Sequence, residues 1–299
     1  MNYNEFKDAL VSLIKEQLDA SYSVTLQSVT KNNGISLDAI VIKTKDTNIA
    51  PSLYINHLYP AYQNGESLNN IAMQLIDLNK TYQLNNDFDA SYLIDFDKVK
   101  DNIVYKLINY EKNKELLSGV PFIEFLDLAI VFYIKVDNKY IQDGFIMINN
   151  DILKKWDIDK DTLYSIAKKN TSNIYKIKVT RVFDLIYDRL SDEEKKIFSL
   201  DEDYPLFILS NEQICNGAYC LLDTDTLSSL CEMHESSLYI IPSSIHETLF
   251  IPEKDTDLDL DYMTAMVRSV NTFDLPEHEY LSDHVYYFDR DEKKLSIAG

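Results

Sequence analysis

Glycine and proline are scarce in this 299-residue chain, at 6 and 7 residues, against average usages of about 7% and about 5%. With so few glycines, neither G-x-G-x-x-G nor a Walker-type loop is present, which excludes the usual routes to nucleotide hydrolysis and dinucleotide redox chemistry. No cofactor is expected. Cysteine is rarer still: Cys215, Cys220 and Cys231 are an odd number in one quarter of the chain. Their C-x4-C-x10-C spacing fits no common zinc pattern, and reduced thiols in a cytoplasm are the expectation. Long apolar runs are missing too. The longest, Leu126 to Ile134, falls well short of the roughly 20 residues that span a bilayer. The opening Met-Asn-Tyr-Asn-Glu-Phe-Lys-Asp has neither the basic nor the apolar region of a secretory signal. A cytoplasmic protein with no membrane contact is expected.

Positive charge is in deficit, and unevenly so. The net charge is −20; residues 201–299 carry 21 Asp and Glu against 5 Lys and Arg, and the first 200 residues 28 against 24. Phosphate affinity rests on cationic side chains, so the last third is a poor direct binder of nucleic acid. It suits a basic partner protein, or could imitate nucleic acid to one.

What is present is ordinary core material with clear periodicity. Hydrophobic residues make up 45% and charged residues 26%, as in typical globular proteins. Phe6, Leu10, Leu13, Ile14 and Leu18 repeat with helical spacing. Tyr22 to Val29 alternates as a strand, Lys31 to Gly34 is a turn, Ile35 to Ile42 returns, and Ser52 to Asn56 adds a third strand. Tyr59 to Gly65 reads as a loop, with Ser67 capping a helix to about Tyr82. Further strands are expected at 103–108, 126–136, 145–148, 174–179, from 205, at 238–241, 249–251 and 285–288. Helices are expected near 109–117, 160–170, 182–190, 224–233 and 259–271. The polar stretches 84–97 and 191–203 suggest boundaries between units 1–86, 98–198 and 204–299, which could form one compact body. The class is α+β, with antiparallel sheets built from hairpins and helices packed on them.

The reactive side chains concentrate at Ile241-Pro-Ser-Ser-Ile-His-Glu247, between two apolar strands. Ser243, Ser244, His246 and Glu247 could supply a nucleophile, a base and an orienting carboxylate, so a hydrolase-like enzyme centred on His246 and Glu247 is one functional reading. The G-x-S-x-G elbow is absent, and serines in a turn commonly bond the local backbone instead. Asp127, inside an apolar run, and Asp38, in a strand, are candidate catalytic acids. His278 and His284 stand beside carboxylates, the ligand mix of zinc or iron sites, though without H-E-x-x-H spacing. Asp255, Asp257, Asp259 and Asp261 resemble a calcium loop until glycine at position 6 and glutamate at position 12 are sought; neither is there. These four are instead candidate contacts for a basic partner. The leading functional expectation is therefore a cytoplasmic interaction protein rather than an enzyme.

Several stretches also carry a family likeness: Asn33-Gly-Ile-Ser-Leu-Asp38, Ala50-Pro51 with Tyr54-Ile-Asn56, Tyr62-Gln-Asn-Gly65, Tyr105 to Asn113, Phe125 to Phe132, and Ile241 to Glu247. Together, over about residues 3–290, they resemble an uncharacterised bacterial domain of unknown function met mainly in gut-dwelling Firmicutes. The resemblance implies a bacterial, cytoplasmic protein and brings no activity, catalytic residue or cofactor with it.

Overall fold

In a computed structural model of the chain, residues 1–44, 50–82, 90–136, 144–195 and 205–298 are described. They fall into two compact units, Met1–Ile94 with Val136–Gly144, and Asp95–Lys135 with Phe145–Gly299. Of the connections sought near 84–97 and 191–203, residues 84–89 and 196–203 lie outside the described residues.

The first unit begins with α1 (Tyr3–Gln17), which opens on a capping box. The Glu5 amide donates to Asn2 Oδ1 and the Asn2 amide to Glu5 Oε2, both at 2.9 Å, so two otherwise orphaned N–H groups are satisfied. Phe6, Leu10 and Ile14, spaced by four, are fully buried. They pack on a three-stranded antiparallel sheet of β1 (Tyr22–Thr30), β2 (Ser36–Thr44) and β3 (Ser52–Tyr54). The short α2 (Leu58–Gln63) occupies what the sequence suggests is a loop. In α3 (Leu68–Tyr82) the Asn70 amide donates to the Ser67 hydroxyl at 3.1 Å, as the cap requires.

The second unit holds two sheets. After α4 (Phe96–Val99) come β4 (Ile103–Asn109), α5 (Lys114–Leu117), β5 (Phe122–Phe125), β6 (Leu128–Val136) and β7 (Gly144–Met147). The four strands form one sheet with β6 at its centre, paired antiparallel to β4 and β5. The expected strand at 126–136 is thus corrected. Phe125 pairs with Leu128, and Leu126-Asp127 is the tight turn of a hairpin, with Leu126 at φ 55°. A run of apolar residues hides a turn when the turn residue is itself a leucine. Next follow α6 (Asn150–Trp156) and α7 (Lys160–Ile174). The first, not expected, is capped by Asn149, whose Oδ1 accepts from the Ile152 amide at 2.8 Å.

The other sheet has six strands, ordered β13-β12-β10-β11-β9-β8. They are β8 (Ile177–Arg181), β9 (Phe207–Asn211), β10 (Leu238–Ile241), β11 (Thr248–Pro252), β12 (Tyr286–Asp289) and β13 (Lys294–Ile297). Between them lie α8 (Val182–Tyr187), α9 (Asp192–Lys195), α10 (Thr224–His234) and α11 (Leu260–Phe273). Strand β8 starts three residues later than expected because α7 runs on to Ile174. The pairs around β10, β11 and β12 are antiparallel. The class is α+β, as the hairpin signals suggest. No described helix is long and apolar enough to cross a membrane.

Candidate functional site

The stretch Ile241 to Glu247 connects the adjacent strands β10 and β11, with Ile241 opposite Leu249. Its local folding follows from one side chain. Ser244 is buried, and its hydroxyl accepts from the amides of His246, at 3.0 Å, and Glu247, at 3.3 Å. That closes a serine turn and directs the Ser244 oxygen at backbone rather than at the imidazole.

His246 is held from the other side by the segment 210–218. The Asn216 amide donates to His246 Nδ1 at 3.1 Å, while the Gly217 amide, at 2.9 Å, and the Ser210 hydroxyl, at 2.7 Å, donate to the His246 carbonyl. Because Nδ1 accepts, the neutral ring carries its proton on Nε2. Nε2 faces Glu279 Oε1 at 3.8 Å, and His278 Nε2 approaches the same oxygen at 3.7 Å. The acid that meets the ring is therefore Glu279. Glu247 acts on it more weakly than Glu279 does. Ser, His and Glu of the motif are close in sequence but are not assembled as nucleophile, base and orienting acid.

Burial pushes the His246 pKa below its ordinary value; Glu279 opposes this and Lys106 adds to it. A base whose pKa falls on folding takes up its proton first in the unfolded chain. Its stabilisation is therefore complete above the ordinary value of about 6.5 and drains away as pH falls below it. His234, packed 4.9 Å from Phe207 and 5.9 Å from Phe250, is shifted down by burial as well and contributes with the same sign. In His246→Asn the amide oxygen can take over the bond from Asn216. That variant is expected to lose less melting temperature than the parent between about pH 7.5 and about pH 5.5. Equal losses in differential scanning calorimetry would sink this account of the ring.

Glu279, Asn216, Gly217 and Lys106 were not legible as partners of the motif. Lys106 is the informative one, a lysine in the middle of the buried strand β4. Its ammonium lies 3.7 Å from the Phe145 ring centre and 4.2 Å from that of Tyr133, a cation–π seat. Burial lowers its pKa to about 8, and Cys215 pulls the other way. Cys220 and Cys231 are buried thiols pushed up to about 12 and about 11 by that burial, which makes them poor nucleophiles.

The front half of the motif faces elsewhere. Ile241, Pro242 and Leu249 form one wall of an apolar groove of about 120 Å³, whose other wall is Met263, Met266 and Val270 of α11; Ser243 sits at its edge. Asp255, Asp257, Asp259 and Asp261 lead into that helix, all exposed. Asp259 caps it, its Oδ1 accepting from the Asp261 amide at 3.1 Å, where negative charge suits the helix macrodipole.

The remaining candidates are placed individually. Asp127 accepts from the hydroxyls of Ser282 at 2.6 Å and Tyr286 at 2.7 Å. Asp38, in the first unit, pairs with Lys7 at 2.9 Å. The Ser282 hydroxyl accepts from the His284 amide at 3.0 Å, and Asp283 accepts from Asn271 at 2.8 Å. Among the described residues, no three His, Cys, Asp or Glu side chains are grouped to hold a metal ion, so His278 and His284 are not brought into such a set.

The model of a family of unknown function (DUF5688) matches residues 3–290. No curated protein and no solved structure matches the chain.

Proposed function

The chain belongs to that family of unknown function, and from its own geometry we propose that it is a cytoplasmic, bacterial interaction module that seats a basic, amphipathic helical segment of a partner protein on α11. The observation that carries this reading is the exposed face of that helix, with Leu258 just ahead of its cap. Leu258, Tyr262, Met266, Val270 and Phe273 recur at steps of four, four, four and three, and are 36%, 57%, 47%, 45% and 81% exposed. The adjoining face buries Met263 and Val267, which line the same groove. The apolar face of this helix is thus wider than the part the core covers, and the uncovered part runs along the groove.

Exposed apolar surface of that kind marks interaction sites, and methionines suit a surface that must accommodate a partner's side chains. Charge selects the partner. Between residues 253 and 274 there are six carboxylates against Lys254 and Arg268, with Asp255 to Asp261 at one end of the stripe and Asp274 at the other. A helix laid in the groove through apolar residues, with lysines or arginines at its margins, satisfies both features. Imitation of nucleic acid would need only the carboxylates, and the apolar stripe favours the peptide reading over it. The unpaired state of all three thiols supports a reducing compartment.

The test uses a synthetic amphipathic Lys/Leu helical peptide and fluorescence anisotropy. The intact chain is expected to bind it in a salt-sensitive manner. Met266→Asp is expected to weaken binding by about tenfold or more, since a buried Met side chain contributes roughly 1.5–3 kcal/mol. Affinity unchanged in Met266→Asp, or no binding at low salt, would overturn the reading.

A further inference from the structure

A second concavity, of about 400 Å³, lies where the β5–β6 hairpin, α7, the start of α10 and the β12–β13 turn converge. Its volume is within the roughly 300–1,000 Å³ of small-molecule sites. The floor is apolar and buried, built from Ile130, Leu221, Leu222 and Phe288. Phe125 and Tyr164 supply aromatic walls, and three lysines, Lys168, Lys293 and Lys294, line the rim.

Those lysines set the sign of the pocket in a chain with 20 more acids than bases. Lys168, Lys293 and Lys294 form no ion pair or side-chain hydrogen bond among the described residues. Two of them belong to the five cations of residues 201–299. They are presented by a tight turn in which Lys293 takes φ 51°, a left-handed conformation that is unfavourable for a non-glycine residue. The single carboxylate in the lining is Glu124. Three lysines that border one concavity with an apolar floor and a single lining carboxylate suit an anion attached to a flat apolar body. Lysine serves phosphate as a point charge and needs no Gly-rich loop to do so.

We infer that this pocket binds a small phosphorylated aromatic molecule of mononucleotide size, with the phosphate on Lys168, Lys293 and Lys294 and the ring between Phe125 and Tyr164. The inference does not depend on the α11 groove.

Isothermal titration of the intact chain with AMP, adenosine and inorganic phosphate tests it. AMP is expected to bind more tightly than either fragment. The triple variant Lys168→Ala, Lys293→Ala, Lys294→Ala is expected to weaken AMP by about tenfold or more. The corresponding triple arginine variant, which keeps the charges, is expected to retain binding, and Met266→Asp to leave it unchanged. Because all three lysines are exposed, the alanine variant keeps its far-UV circular dichroism. Absence of AMP binding overturns the inference. So does AMP affinity unaltered in the alanine variant, or inorganic phosphate binding as tightly as AMP.

Discussion

Asp127→Ala is expected to cost the second unit about 3–5 kcal/mol, more than any other single carboxylate replacement among the described residues. The Ser282 and Tyr286 residues that donate to this carboxylate are wholly buried, each at 0% exposure. Burial first, and then the Asp127 charge, hold the Tyr286 pKa well above its ordinary value, so the phenol stays a donor. Without the carboxylate, two desolvated hydroxyls lose their charged acceptor at once. The adjacent Leu126, at φ 55°, also loses the anchor that fixes its strained turn. Asp127→Asn keeps an acceptor oxygen but turns an amide NH₂ toward one of the hydroxyls, and is expected to lose about half as much. Urea denaturation measures both. A loss below about 1 kcal/mol for the alanine variant would show that the hydroxyls find other partners and that Asp127 is not the anchor of this turn.

Gly217→Ala is the second large effect, expected at about 3 kcal/mol or more. A Cβ at this position would stand 2.5 Å from the His246 carbonyl oxygen and 3.0 Å from the Asn211 amide nitrogen, both backbone, and closer still to the Ser210 hydroxyl. The hydroxyl can rotate; the backbone atoms cannot yield without opening the bonds that Gly217 and Ser210 donate to the His246 carbonyl. The His246 ring shifts with its backbone. The C2 proton resonance of His246 is therefore expected to move in Gly217→Ala while that of His57, in the first unit, does not. A variant of parental stability with an unmoved His246 resonance would remove the close approach from the account.

The sequence carried most of the regular structure because most of it is periodic. Phe6, Leu10 and Ile14 declare a helix, and Asn33-Gly34 declares the turn between β1 and β2. It failed where tertiary contacts override local preference. Leu126 has no intrinsic liking for a left-handed turn, and it takes one beside the acceptor of two distant hydroxyls. Helix α6 and strand β13 are polar enough to read as connections; β13 forms because Asp289 Oδ1 accepts from the Asp291 and Glu292 amides at 2.8 Å and turns the chain back. The site was legible in part. Ile241 to Glu247 stood out by composition, and the local backbone role of Ser244 followed from turn chemistry. The partners of His246 did not, since Asn216 and Glu279 are some thirty residues away on either side. The two halves of the motif also point to different places, a division that no linear pattern records. The apolar stripe of α11 was present in the sequence as well, masked by the adjoining buried face of Met263 and Val267 on the same helix.

The most direct test of the interaction reading is a hydrogen-exchange footprint of the Lys/Leu helical peptide on the intact chain. Protection is expected over residues 258–273 and at the 241–243 wall of the groove, with none over β1 and β2. Protection confined to other segments, or none at a peptide concentration that saturates binding, would contradict it.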